Sequence, residues 1–104
     1  MTADNHFEQM LQRFNSNAAG SLDAVFQYQI EDIGVYHLIV KDQNCVLGGG
    51  EHQAPTVTLS MNEQTLVDIL SGETDGMQAF MAGQMKATGD LMLATRLPEL
   101  FPAA

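Results

Sequence analysis

The chain has 104 residues, of which 45% are hydrophobic and 16% charged, with only 3 prolines. That composition fits one globular domain over residues 1–104 and excludes a disordered segment. Thirteen acids against 4 bases give a formal net charge of −9, and such a surface repels phosphate backbones and anionic bilayers, so nucleic acid is not expected as a partner.

The first element reads as a helix. Asn5 with Glu8 three residues on matches a capping box, and Phe7, Met10, Leu11 and Phe14 recur at helical spacing. Asn15 to Ala19 frays towards Gly20, a suitable terminator. The period then switches to two. Leu22, Ala24, Phe26, Tyr28 and Ile30 alternate with Ser21, Asp23, Val25, Gln27 and Gln29, which describes a half-buried strand. Glu31-Asp32-Ile33-Gly34 is turn chemistry, Val35 to Val40 the returning strand, and Lys41-Asp42-Gln43-Asn44 a second polar turn. Cys45 to Leu47 reads as a third, short strand before Gly48-Gly49-Gly50, and Thr56 to Leu59 as a fourth.

Ser60 with Glu63 is a second capping box, followed by an apolar helix face of Leu66, Val67 and Leu70 that ends at Gly72. A short helix is expected over Gly76 to Ala82, stopping at Gly83, and a fifth strand over Gln84 to Thr88. Asp90 suits the N-cap of a last helix carrying Leu93, Ala94, Leu97 and Phe101, with Pro98 kinking or ending it near Leu97. The order α-β-β-β-β-α-α-β-α argues for an α+β sandwich with helices packed on one sheet face.

Few constellations suggest chemistry. His6, His37 and His52 fall in a helix start, a strand and a loop, without the ligand spacings of a metal site, so none is expected. Cys45 is the only cysteine and lies between apolar neighbours, where a small buried hydrophobe is the simpler reading than a nucleophile. It also rules out an internal disulfide, which is consistent with a reducing compartment. Gly48-Gly49-Gly50 lacks the Lys-Ser/Thr of a phosphate loop and is followed by Glu51, so a turn or bulge between strands is expected. No basic n-region opens the chain, no window reaches a membrane span, and Phe101-Pro102-Ala103-Ala104 is no targeting address. A cytoplasmic protein without stable membrane insertion, cofactor or catalytic group is expected.

The remaining feature is apolar. Between Gly72 and Phe101 lie four of the seven methionines, Met77, Met81, Met85 and Met92, with Phe80 and Phe101. Methionine is unbranched and polarisable and fills irregular or adaptable space. These side chains, with the first-helix stripe and Phe26 and Tyr28 from the sheet, form either a solid core or the lining of a ligand cavity, which periodicity does not separate.

Ala79-Phe80-Met81-Ala82-Gly83, Gln84-Met85-Lys86-Ala87-Thr88, Gly89-Asp90 and Leu91-Met92-Leu93-Ala94 resemble the signature of sterol carrier protein 2-like domains. That signature runs Phe-x-x-Gly-Lys-x-Lys-x-x-Gly-Asp/Asn, then an apolar helix with Leu-Ala and a closing Leu-Phe. This chain has Phe80, Gly83, Lys86, Gly89, Asp90, Ala94, Leu97, Leu100 and Phe101 at the matching places, and the element order agrees along essentially its whole length. The resemblance implies a five-stranded mixed sheet covered by helices on one face, enclosing a hydrophobic tunnel for a fatty acyl, phospholipid, sterol-like or prenyl lipid. It implies a lipid-binding or lipid-presenting domain and not a catalyst, as monomer or homodimer. Phe26, Tyr28, Met77, Phe80, Met81, Met85, Met92, Leu97, Leu100 and Phe101 are the expected ligand-binding residues, with Leu100 and Phe101 able to act as a lid. The first family lysine is Gln84 here, and neither a basic surface nor a peroxisomal signal is present, which favours a small stand-alone domain of prokaryotic type. The alternative role is an accessory protein with a filled cavity that holds lipid- or quinone-metabolising enzymes.

Overall fold

The structure is a computed structural model that describes residues 3–31 and 33–101. Asp32, in the expected turn, and the last three residues lie outside the described ones, as does the side chain of Asn5. The element order is α1 (Ala3–Arg13), α2 (Ser16–Ala19), β1 (Ala24–Ile30), β2 (Gly34–Lys41), β3 (Asn44–Gly49), β4 (Val57–Met61), α3 (Glu63–Ser71), α4 (Gly76–Met81), β5 (Lys86–Gly89), α5 (Leu91–Ala94) and α6 (Leu97–Leu100). The strands form one mixed sheet in the order β3-β2-β1-β4-β5, with β1 antiparallel to β2 and parallel to β4. Helices cover one face of it.

The period-2 pattern sets that face. Phe26 pairs with Leu38 and Val57, and Tyr28 with Tyr36 and Leu59, so all these side chains project to the same side. Phe26, Leu38, Val40, Val57 and Leu59 are fully buried there. Phe7 of α1 closes the β1–β2 end, with ring centroids 5.3 Å from Tyr28 and 4.9 Å from Tyr36. The opposite face carries Gln27, Gln29, His37, Thr58 and Ser60, and the Ser60 hydroxyl donates to Gln29 at 3.0 Å.

Several expected boundaries move for local reasons. α1 already runs from Ala3, so Asn5 lies inside it, and its stripe breaks after Arg13 because Asn15 caps a separate turn, accepting from the Asn17 and Ala18 amides. The cap of α3 is Asn62, which accepts from the Thr65 amide at 2.8 Å, and Ser60 belongs to β4. The glycine run is not a loop. Gly48 and Gly49 extend β3, and a Cβ on Gly48 would sit 2.3 Å from the His37 ring that lies across it. The last helix divides into α5 and α6, with Pro98 in the first turn of α6, where a missing N–H is tolerated.

Candidate functional site

The helices do not fill the sheet face evenly. Beside the solid core under α1 lies a half-open chamber of about 410 Å³, within the size range of small-molecule sites. Its floor is Tyr28 of β1, Leu59 and Met61 of β4, and Ala87 of β5. Met10 of α1 and Leu66, Ile69 and Leu70 of α3 make one wall. Met77 and Phe80 of α4, Met85, Leu91 and Met92 make another, and Leu97, Pro98 and Phe101 close the end.

Local chemistry explains why this half stays open. α4 is a single short helix capped by Asp75, whose carboxylate accepts from the Met77 amide at 3.2 Å. It is followed by the four-residue strand β5 and the four-residue helix α5, capped by Asp90 through the Leu93 amide at 3.1 Å. Elements this short present few side chains to the sheet, so only Ala79, Met85 and Leu93 of this stretch are buried. α1 and α3, by contrast, are joined at both ends. His6 Nε2 lies 3.2 Å from Glu63 Oε2, and Arg13 donates to the Leu70 carbonyl at 2.7 Å.

Seven of the ten expected side chains line the chamber: Tyr28, Met77, Phe80, Met85, Met92, Leu97 and Phe101. The structure places the other three elsewhere. Phe26 shares the face of Tyr28 two residues along β1 but is fully buried and does not line the chamber. Met81 follows Phe80 on α4, and a step of one residue turns it from the wall to solvent, where it is 79% exposed. Leu100 is fully buried where α6 packs on α2, and its carbonyl accepts from the Asn15 amide at 2.8 Å. Phe101 packs against Phe14, ring centroids 5.6 Å apart, while lining the chamber, so the last turn is held against the core in this structure.

Met61, Leu66, Ile69 and Leu70 line the wall outside the expected ten, as does Met10 of the first-helix stripe, which suited a core or a lining. The helical spacing of Leu66, Val67 and Leu70 marks an apolar face, and the structure turns Leu66, Ile69 and Leu70 to the chamber. Met61 was masked by the expected cap at Ser60. In all, five of the seven methionines line the chamber.

Polar groups on the wall are few. The Thr95 hydroxyl donates to the Met92 carbonyl at 2.6 Å, and Asp75 is occupied with its cap. Among the described residues no Lys, Arg or His lines the chamber, and no group of three or more His, Cys, Asp or Glu is placed to hold a metal. His37 and His52 meet edge to face on the other side of the sheet, ring centroids 5.2 Å apart. Burial pushes the Cys45 thiol up to about 12, which removes the thiolate that nucleophilic chemistry would need. No helix among the described residues is long and apolar enough to cross a membrane.

Residues 7–102 match the model of the SCP-2 sterol transfer family. Hydroxysteroid dehydrogenase-like protein 2 of Bos taurus is 34% identical over 80 residues, which is 74% of this chain and 19% of that protein. The chain therefore spans about a fifth of the length of this curated relative. Among solved structures, the inverting sec-alkylsulfatase Pisa1 from Pseudomonas sp. superposes with a TM-score of 0.89 at 21% identity, over 100% of this chain and 17% of that one. Palmitated SCP2L2 from Aedes aegypti gives 0.76 at 23% identity, over 98% of this chain and 96% of that one. Both of these likenesses are of fold.

Proposed function

The chain belongs to the SCP-2 sterol transfer family, and on that premise we propose that it binds and presents a long-chain lipid in the chamber, without catalysing a reaction on it. The carrying observation is the unfilled, methionine-lined space itself. The space is half-open, so water reaches its apolar walls, and an apolar occupant that displaces this water is favoured by the hydrophobic effect. Each methylene buried contributes about 0.8 kcal/mol before the cost of association. Methionine walls adapt to chain shape, so length and branching are loosely specified. The exposed rim of Met77, Phe80, Leu91 and Met92 (40 to 78% exposed) gives a chain an apolar way in.

The dehydrogenase-like relative contributes no activity to this reading, since the match covers 19% of it. The accessory role, with a filled cavity, is the less favoured one because the chamber is open.

The test is a titration with a fluorescent long-chain probe, on the wild type and on Ala87→Phe. Ala87 lies on the floor opposite Leu59, so a phenyl ring there occupies the chamber. Saturable binding, lost at least tenfold in a variant whose thermal stability is kept or raised, is expected. Equal binding by both proteins, or none by either, contradicts the proposal.

A further inference from the structure

The methionines fall into two sets that differ in how readily solvent reaches them. Among the described residues, Met10, Met61 and Met85 are 3 to 8% exposed, whereas Met77, Met81 and Met92 are 46 to 79% exposed. The exposed set is confined to α4 and α5, and two of its members, Met77 and Met92, also line the chamber. With Phe80 and Leu91, exposed lining residues themselves, they make an apolar rim in which the thioethers are the oxidisable groups. Met81 is as exposed as Met92 but stands off the wall.

Hydroperoxides oxidise a thioether by oxygen transfer, and an exposed sulfur is reached first. The sulfur lone pair takes one peroxide oxygen, the O–O bond breaks, and the other oxygen leaves as water or alcohol with both protons; sulfur is oxidised and the peroxide reduced. The sulfoxide turns a flexible apolar side chain into a polar one. An alkyl chain laid against it strips water from the S=O group without replacing the hydrogen bonds, which costs free energy. Cys45 does not compete for the oxidant. It is half-buried in β3 away from the chamber, and burial keeps its thiol protonated, whereas the reactive form is the thiolate.

We infer that Met77 and Met92 form an oxidation site at the chamber mouth, where hydroperoxides convert them to sulfoxides and reversibly weaken lipid binding. This rests on the lipid-binding reading above and adds a regulation to its site. The purified wild type is treated with hydrogen peroxide, the oxidised positions are mapped by peptide mass spectrometry, and affinity for a fluorescent long-chain probe is measured before and after. Met77, Met81 and Met92 are expected to gain oxygen before Met10, Met61 and Met85. Probe affinity should then fall about fivefold and recover on treatment with methionine sulfoxide reductases for both epimers; this arm needs no variant. The double variant Met77→Leu with Met92→Leu should keep through the same treatment whatever affinity it starts with. Met81→Leu should lose affinity as the wild type does. Equal oxidation of buried and rim methionines, undiminished affinity once the rim is oxidised, or a loss that the reductases do not reverse each overturns the inference while leaving lipid binding intact. So does an equal loss in the folded double variant, or protection by Met81→Leu. Absence of probe binding before any oxidation overturns the lipid reading with it.

Discussion

Gly89 is a position where no side chain fits. Its φ is +100°, and a Cβ there would lie 2.5 Å from the Thr56 carbonyl oxygen, which already accepts from the Asp90 amide at 3.0 Å. Gly89→Ala is expected to cost about 3 kcal/mol in urea unfolding; a loss under 1 kcal/mol would mean that β4 and β5 do not approach so closely. The β2–β3 turn carries the opposite defect. Asp42 and Gln43 hold φ of +52° and +62° without being glycine, so Gln43→Gly should gain roughly 1 kcal/mol, and an unchanged urea midpoint would contradict that geometry. Cys45 gives a pH signature. The unfolded thiol ionises near its ordinary 9.0 while the folded one keeps its proton to about 12, so this group favours unfolding as pH rises above about 9. Stability should fall less steeply over that range in Cys45→Ala, and identical pH profiles would count against burial of the thiol. Legibility at this scale follows from how a residue is surrounded. Tyr28, Met77 and Phe80 could be placed by period and composition, but alternation does not separate Phe26 from Tyr28, two residues apart on one face, of which only Tyr28 lines the chamber.

Among the elements, order and type were legible and ends were not. The strands follow from strict alternation, and Asp90 is the cap that its position before an apolar run implies. Ends moved where two signals competed. Ser60-x-x-Glu63 and Asn62 both suit a cap, and pairing of Ser60 with Gln29 across the sheet decides for Asn62. The end of the chain shows how tertiary contacts override a local reading. Pro98 invites a loose final turn, yet Arg96 bonds the Ala18 carbonyl, Asn15 bonds the Leu100 carbonyl, and Leu100 and Phe101 are buried. Removing residues after Leu97 takes out two buried side chains of the 2–5 kcal/mol class. The truncated chain should therefore lose its cooperative thermal transition. Retention of the wild-type midpoint with faster lipid exchange would instead show that the last turn acts as a lid.

At the scale of the whole molecule, the sheet divides the protein into a filled half and a hollow half. α1, joined to α3 by His6–Glu63 and by Arg13, closes over β1 and β2. The short elements from α4 onwards leave space over β1, β4 and β5. The sequence pattern could not separate these halves, because the same methionines and aromatics suit a core or a cavity wall until the spacing of the layers is known. Lipid binding in the hollow half is the central claim, and native mass spectrometry of the purified protein, with lipid extraction of the same sample, tests it most directly. A near-stoichiometric co-purified lipid, displaced by an added long-chain lipid, is the predicted result. A clean ligand-free mass that takes up no added acyl chain would contradict it.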